Sequence, residues 1–256
     1  KDFVLADRLI HHSLAQALLR CPAKFKRYSH LDMDELENLL QKNNDNFDTI
    51  FVVTESVFSM DGDYPNLKKL VALKNKYPFV LVLDEAHGTG VFGEKGGGLA
   101  EEMGVLSEID ILVGTLGKSL ASMGAYVLAK NQSVIDYLTN VSGEYIYSTF
   151  LSPSQVGAAL EAIKLIKSYD EQRKKLRRLS KNFRSKLKQH NQEFESPIIP
   201  IQIGDPQRTL YLRDQLLKNK ILVGAVRPPT VPAETSRLRI SLHSDIDEKT
   251  LDDLLN

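Results

Sequence analysis

The chain has 256 residues, 42% hydrophobic and 26% charged, a composition typical of a globular protein with one large core or two smaller ones. Its 33 basic and 33 acidic residues cancel, and no apolar run approaches the roughly 20 residues that span a bilayer, so neither nucleic acid nor a membrane is an expected partner. The single cysteine, Cys21, excludes an internal disulfide and favours a reducing, cytoplasmic compartment.

The first part of the chain alternates strand and helix patterns. Apolar or alternating runs predict strands over residues 3–6, 24–30, 49–54, 79–83, 109–113 and 125–129. Between them, Asp32 and Glu35 predict a capping box, Pro65 and Pro78 are expected to bound a helix, and residues 134–141 form another. Repeated strand and helix units joined by short turns predict a mostly parallel α/β sheet sandwiched by helices.

The last third of the chain follows a different pattern. A helical region is expected over residues 153–189, bent near Tyr169; its basic residues suggest a nucleic-acid face, but the stripe Leu176, Leu179, Phe183 and Leu187 favours a packed helix with a solvated basic face. Strands follow at 198–203, 221–226 and 238–242, with helices at 206–218 and from 248. We therefore expect a major domain over residues 1–168, incomplete at its amino terminus, and a smaller carboxyl-terminal α/β domain over 169–256.

A carboxylate and a histidine follow the strand at 79–83. Asp84 comes directly after five apolar residues, and His87 lies three residues later on a turn loosened by Gly88 and Gly90. Open α/β sheets bind their ligands at the carboxyl ends of the strands, so this turn is a candidate site. The alternative is a capped strand end with a solvated Asp-Glu pair.

A second polar turn follows the strand at 109–113. It carries Thr115 and Lys118, and a lysine near apolar walls can act as an amine nucleophile towards a carbonyl. The alternative is a lysine at a helix start that contacts solvent. A phosphorylated pyridine aldehyde would need three such groups to bind: a lysine, a hydroxyl such as that of Thr115, and an aspartate such as Asp84.

Five motifs then carry a family resemblance along the whole chain. They are Asp7-Arg8-Leu9-Ile10-His11-His12-Ser13, Thr54-Glu55-Ser56-Val57-Phe58-Ser59-Met60-Asp61-Gly62-Asp63, Asp84-Glu85-Ala86-His87-Gly88-Thr89-Gly90, Gly114-Thr115-Leu116-Gly117-Lys118 and Arg237-Leu238-Arg239. In this order and spacing the chain resembles the carboxyl-terminal two thirds of an α-oxoamine synthase. That resemblance implies a pyridoxal-phosphate enzyme, an acyltransferase, with the aspartate-aminotransferase fold (fold type I).

The resemblance also implies roles for residues around the cofactor ring. Lys118 would form the Schiff base with pyridoxal 5'-phosphate, and Asp84 would pair with the pyridine nitrogen so that the ring acts as an electron sink. His87 would hydrogen-bond the phenolic oxygen of the ring, with Ser59 nearby. An alternative for Ser59 is that it only stabilises its own turn.

Three further residues complete the implied site. His11 would stack on the ring face, Thr115 would donate to the phosphate, and Arg239 would bind the carboxylate of the amino-acid substrate. Two alternatives stay open: His11 as a satisfied buried histidine, and Arg237 in place of Arg239.

The implied reaction is decarboxylative condensation of an amino acid with an acyl thioester. The loop from Ala225 to Pro232 most resembles the biotin-synthesis branch of the family, which implies L-alanine and a pimeloyl thioester on coenzyme A or acyl carrier protein. Glycine with acetyl-CoA, or another amino acid such as serine, is the alternative, and a non-catalytic subunit is more remote because Lys118 is present. The family forms homodimers with active sites at the interface, which Tyr147-Ser148-Thr149 is in a position to join.

The chain departs from the family in several places. Ile10 and His12 replace residues that are usually small and polar, and Ala121 stands where a glycine is common. The chain starts at Lys1 without an initiator methionine, and the amino-terminal third of the family pattern is absent from it. We therefore expect this chain alone to hold pyridoxal phosphate weakly or not at all. No metal ligand set is expected.

A nucleotide-hydrolase interpretation rests on Asp84-Glu85-Ala86-His87, the helicase tetrapeptide, and on Gly117-Lys118-Ser119, which ends like a P-loop. The P-loop spacing fails, since Leu112 occupies the position of its first glycine. The lysine also follows the acidic strand rather than preceding it, which disfavours this class.

Overall fold

Six strands form one sheet in the order β2-β1-β3-β4-β5-β6. The computed structural model describes residues 1–149, 151–187 and 193–253 of the chain. The strands are β1 (Asp2–Asp7), β2 (Lys24–Tyr28), β3 (Thr49–Glu55), β4 (Val80–Asp84), β5 (Ile111–Thr115) and β6 (Ala125–Ala129). The sheet belongs to the first of two units, which comprises Lys1–Phe58 and Tyr64–Asp170.

The first five strands run parallel, and β6 is antiparallel to β5. The turn between β5 and β6 is shorter than the dozen or so residues that a parallel crossover needs, so β6 returns beside β5 in the opposite direction. The predicted, mostly parallel α/β fold is confirmed. In every parallel pair the chain enters at the same edge, so the carboxyl ends of β1, β3, β4 and β5 meet at the opposite edge.

Within the described ranges the first unit has seven α-helices. They are α1 (His12–Arg20), α2 (Met33–Asn43), α3 (Leu67–Lys76), α4 (Leu99–Glu102), α5 (Gln132–Val141), α6 (Gly143–Ile146) and α7 (Pro153–Ile166). Of these, α1 to α4 connect the strands and α5 to α7 follow β6. The apolar faces of α2 and α3 are buried, through Leu36 and Leu40 and through Leu67 and Leu70. Among the described residues, no helix combines the length and the apolar character needed to cross a membrane.

Two helix starts differ from the sequence expectation. The Asp32 side chain accepts from the Glu35 backbone N–H at 2.8 Å, as a capping box requires, but the Glu35 carboxylate accepts from Ser29 N–H instead of from Asp32. The helix expected to begin at Pro65 begins at Leu67, because the Asn66 side chain accepts from Lys69 N–H and caps it. Both differences reflect side-chain contacts that a spacing pattern does not specify.

The second unit comprises Ser59–Asp63 and Glu171–Asn256 and contains a three-stranded antiparallel sheet in the order β7-β9-β8. Its elements are α8 (Asp170–Leu187), β7 (Ile198–Gly204), α9 (Pro206–Lys218), β8 (Gly224–Val226), β9 (Ser236–Ser241) and α10 (Glu248–Asp253). Of the helical region expected over residues 153–189, the last two residues lie outside the described ranges.

The basic helix α8 packs as expected through its apolar stripe, in which Leu179 and Phe183 are buried. Its basic face is not wholly solvated, however. Arg184 is 3% exposed and donates to the backbone oxygens of Ser196 and Ile198, and Arg173 is 4% exposed. These arginines contribute to the interior of the second unit, which further disfavours a nucleic-acid surface on this helix.

The short segment Ser59–Asp63 is fixed within the second unit. Ser196 Oγ donates to the Gly62 carbonyl, and Arg237 forms an ion pair with Asp61. Gly62 has a φ of 66°, and a Cβ at this position would lie 2.0 Å from the Ile198 carbonyl oxygen. Only glycine therefore permits this turn.

Candidate active site

Four polar residues end neighbouring parallel strands at one edge of the large sheet. Asp7 ends β1, Glu55 ends β3, Asp84 ends β4 and Thr115 ends β5. The turns that follow β1 and β5 carry His11 and Lys118. The topology thus places Asp84, Thr115, Lys118 and His11 at the same edge, as the sequence predicts for a ligand site.

Asp84 is an enclosed carboxylate at this edge. Its side chain is 9% exposed, and its Oδ1 accepts from the Ala86 backbone N–H at 2.8 Å, which fixes its orientation. His87 is half-buried on the turn that follows. A buried carboxylate is available to a cationic or protonated group of a ligand, because pairing offsets the cost of its burial.

The neighbouring Glu85 has a structural role. It is fully buried, and its two carboxylate oxygens accept from the backbone N–H groups of Leu99 and Ala100, at 3.1 and 2.8 Å, so it caps α4. Burial is the main cause that raises the pKa of Glu85 to about 7. The alternative of a solvated Asp-Glu pair is therefore wrong, because both acids are enclosed.

The turn after β5 presents Lys118 to solvent. Thr115 Oγ1 donates to the Gly124 carbonyl at 3.2 Å and accepts from Gly117 N–H at 3.1 Å, so this hydroxyl shapes the turn. Lys118 is exposed, and the apolar walls expected around it are not formed by the described residues. A ligand phosphate would have to replace the Gly124 carbonyl as the acceptor of the Thr115 hydroxyl.

The turns after β4 and β5 are tied together. Ser119 Oγ donates to the Thr89 carbonyl at 2.7 Å, and the Thr89 and Tyr126 hydroxyls lie 3.1 Å apart. Tyr126 lies over Gly114, where a Cβ would come within 2.2 Å of its ring. Glycine at position 114 therefore lets β6 support the turn that carries His87.

His11 occupies the N-cap position of α1. Its Nδ1 lies 2.8 Å from Ser13 Oγ and accepts from Ser13 N–H at 3.3 Å, and its ring is exposed. The buried-histidine alternative is therefore wrong. The turn before it is held by Asp7, a fully buried acid that accepts from Leu9 N–H and Leu31 N–H and contacts His30.

Glu55 is a site residue that the sequence reasoning missed. It is 3% exposed, its Cα is paired with that of Asp84 across β3 and β4, and the backbone N–H of His11 faces its carboxylate as a donor. Burial, followed by the charge of Asp84, raises the pKa of Glu55 to about 8, while the Lys118 charge opposes the rise. The signal was available, because Glu55 follows a buried strand just as Asp84 does.

The predicted substrate arginine lies in the second unit. Arg239 Nε donates to the Ser59 carbonyl and its Nη1 to Ser241 Oγ, both at 2.6 Å, so within the described part of the chain its partners are neutral oxygens. Arg237 is already paired with Asp61 and is 9% exposed. Of the two arginines, Arg239 is therefore the one whose charge is available to a carboxylate.

The departure at Ala121 has a conformational consequence. Ala121 has a φ of 48°, in the left-handed region that disfavours residues with a Cβ. We expect Ala121→Gly to stabilise the first unit by up to about 1 kcal/mol, because relief of strain exceeds the added chain entropy of glycine. Urea unfolding measures this gain; Ala72→Gly, at an exposed position within α3, is the control and should destabilise the protein by about 1 kcal/mol. A loss of stability in Ala121→Gly would contradict the strain argument.

A metal-dependent site finds no support in residues 1–149, 151–187 and 193–253. Nowhere in these ranges do three or more histidine, cysteine, aspartate or glutamate side chains group so as to hold a metal ion.

Comparisons with known proteins identify the family of the chain. The model of the aminotransferase class I and II family matches residues 1–256. A putative 8-amino-7-oxononanoate synthase of Pasteurella multocida is 43% identical over 250 residues, which cover 96% of this chain and 64% of that protein.

Two solved structures extend the comparison to the fold. An 8-amino-7-oxononanoate synthase of Francisella tularensis superposes with a TM-score of 0.81 at 31% identity, covering 99% of this chain and 73% of that one. A serine palmitoyltransferase from S. paucimobilis with a bound PLP-myriocin aldimine gives a TM-score of 0.90 at 27% identity, covering 99% and 65%.

The chain thus spans about 64% of the length of the Pasteurella relative. The resemblance to α-oxoamine synthases, drawn above from five motifs, is confirmed by these relatives. Fold, motif order and whole-chain similarity lead to one conclusion: the chain belongs to the aminotransferase class I and II family.

Proposed function

We propose that this protein carries out a pyridoxal-phosphate-dependent condensation of an amino acid with an acyl thioester, with loss of carbon dioxide. The observation that carries the proposal is the meeting of Asp84, Lys118, Thr115 and His11 at the carboxyl edge of one parallel sheet. These residues are an acid, an amine, a hydroxyl and a planar ring, which are the groups that a phosphorylated pyridine aldehyde requires.

The residues present fit pyridoxal 5'-phosphate. Asp84 is enclosed and oriented by Ala86 N–H, which suits a stable ion pair with a protonated ring nitrogen. Lys118 is exposed at the same edge, where an aldehyde can reach its amine. The buried Glu55 Oε1 finds no hydrogen-bond partner in the described ranges, which marks this edge as incomplete on its own.

When bound, pyridoxal phosphate supplies an electron sink that stabilises negative charge at the substrate Cα. Lys118 would hold the cofactor through its amine, and the same amine, when free, would remove the Cα proton of the amino acid. Asp84 would hold the proton on the ring nitrogen, and His87, with Ser59, would bind the phenolic oxygen. His11 would cover one face of the ring, and the Thr115 hydroxyl would donate to the phosphate.

Arg239 is proposed to bind the substrate carboxylate. Its guanidinium contacts only neutral oxygens among the described residues, whereas Arg237 is committed to Asp61. A planar guanidinium binds a carboxylate through two parallel hydrogen bonds and so orients the bond to the leaving carbon dioxide.

We infer L-alanine and a pimeloyl thioester, on coenzyme A or acyl carrier protein, as the substrates. The support is the name 8-amino-7-oxononanoate synthase that relatives at about 40% identity carry, together with the loop from Ala225 to Pro232. A 2-amino-3-ketobutyrate CoA ligase activity, with glycine, is the second candidate. Similarity to serine palmitoyltransferases keeps serine as a third amino acid to test.

The test is release of free thiol from pimeloyl-CoA by the intact protein with alanine, glycine or serine. We expect release with alanine to exceed release with the other two by at least about tenfold, because a methyl-sized pocket discriminates by about 1–3 kcal/mol. Acetyl-CoA serves as the control thioester. Release with glycine and acetyl-CoA, but not with alanine, would contradict the assignment to biotin synthesis.

We also infer a homodimer located in the cytoplasm. The surface formed by α5 and α6 exposes three tyrosines, Tyr137, Tyr145 and Tyr147, with Tyr147 87% exposed. Aromatic side chains are typical of protein interfaces, so a second copy that covers them is consistent with the family.

A further inference from the structure

Glu55 is an enclosed acid at this edge to which neither the five motifs nor the proposed mechanism gives a task. Its Cα is paired with that of Asp84 on adjacent parallel strands, which lie about 5 Å apart, so two carboxyl groups approach each other here. Asp84 is oriented by Ala86 N–H, whereas Glu55 Oε1 is buried with no partner in the described ranges. Of the two acids, Glu55 is the less well solvated as an anion.

Three charged side chains and one backbone donor act on the ionisation of Glu55. Asp84 at the end of β4 and Asp7 at the end of β1 disfavour its ionisation, whereas Lys118 after β5 and the His11 backbone N–H favour it. Desolvation is the largest effect and opposes the charge. Burial and the two neighbouring acids together favour the neutral form of Glu55.

We propose that Glu55 is a positioning residue of the proposed cofactor site, which holds the backbone of His11 in place and stays protonated beside Asp84. The inference rests on the proposed function for its meaning in catalysis. The protonated acid can still accept from His11 N–H, because protonation of one carboxyl oxygen leaves the other as an acceptor. A residue that only filled space would not link the stacking histidine to the charge of Asp84.

The protonation of Glu55 has a measurable effect on folding. Its pKa is about 8 in the folded chain, against an ordinary value of 4.5 for a glutamate in the unfolded chain, so the folded state binds the extra proton between these values. Stability linked to this group is therefore full below pH 4.5 and is lost as the pH rises to about 8. Glu85 contributes a similar loss of stability as the pH rises. Because Glu85 is present in both Glu55→Gln and wild type, its contribution cancels when the two are compared.

Glutamine mimics the neutral acid, so it separates charge from shape. In the intact protein without added cofactor, the melting temperature of Glu55→Gln relative to wild type should increase by several degrees from about pH 5.5 to about pH 8. Glu144→Gln, at an exposed position on α6, is the matched control and should show no such change. Equal pH profiles for Glu55→Gln and wild type would overturn the proposed protonation.

Cofactor binding tests the positioning role. We expect Glu55→Gln to bind pyridoxal 5'-phosphate within about threefold of wild type at about pH 7, and Glu55→Ala to bind at least about tenfold more weakly, because alanine releases the His11 backbone. Wild-type affinity in Glu55→Ala would overturn the positioning role. Failure of the wild-type protein itself to bind would overturn the proposed function and this role together, while the melting profiles would still decide the charge of Glu55.

Discussion

Lys118→Ala is expected to reduce thiol release by at least about 1,000-fold, a loss of about 4 kcal/mol in transition-state stabilisation. The amine is proposed both to hold the cofactor and to remove the Cα proton, and alanine can do neither. Because Lys118 is exposed and its turn is held by Thr115, Ser119 and Gly124, the fold should survive the substitution. The measurement is steady-state turnover with alanine and pimeloyl-CoA.

A second variant separates the amine of Lys118 from its charge, and a third is the control for loss of a surface lysine. Lys118→Arg keeps a positive charge near Glu55 but cannot act as a nucleophile, so turnover should be lost while the melting profile against pH stays close to wild type. Lys68→Ala, at an exposed position on α3, is the control for loss of a surface lysine and should be fully active. Turnover in Lys118→Ala above one tenth of wild type would contradict the mechanism.

Asp84→Asn is expected to lower turnover by about 1,000-fold without unfolding the protein, because the amide keeps the shape of the carboxyl but not its charge. The ring nitrogen would lose the anion that keeps it protonated. The amide oxygen of the substituted side chain can still accept from Ala86 N–H, so the turn after β4 is retained.

A second effect of Asp84→Asn follows from the coupling to Glu55. The Asp84 charge raises the pKa of Glu55, so its removal should lower that pKa and shift the loss of stability to lower pH. Glu85→Gln offers the contrast. Glu85 accepts from Leu99 and Ala100 N–H, and a glutamine NH₂ would face one of these donors. The main effect of this variant should therefore be a loss of folding stability.

If Asp84→Asn kept wild-type turnover, the proposed electronic role of Asp84 would be wrong.

The fold was largely readable from the sequence because its strands are short apolar runs bounded by glycine, proline and polar turns. The run before Asp84 predicted both β4 and a site at its end. The sequence did not show that Glu35 would bond to Ser29 instead of completing a capping box, or that Asn66 would cap α3. These are choices between neighbouring partners, and tertiary packing decides them.

The site was readable only in part. The residues of the five motifs were identified by resemblance. His11, Asp84, Thr115 and Lys118 lie at or just after strand ends at one edge of the large sheet, whereas Arg237 and Arg239 lie in the second unit. Glu55 was missed because its meaning depends on register: it is the pairing with Asp84 and the contact from His11 that make it distinctive. Lys118 was expected near apolar walls, but it is exposed among the described residues.

Reductive trapping tests the central claim most directly. The intact protein is incubated with pyridoxal 5'-phosphate, reduced with borohydride, digested and mapped by mass spectrometry. The proposed site predicts a stable pyridoxyl label on Lys118, prevented by Lys118→Ala and unaffected by Lys68→Ala. A label spread over surface lysines, or concentrated on a lysine other than Lys118, would contradict the assignment of this sheet edge as the cofactor site.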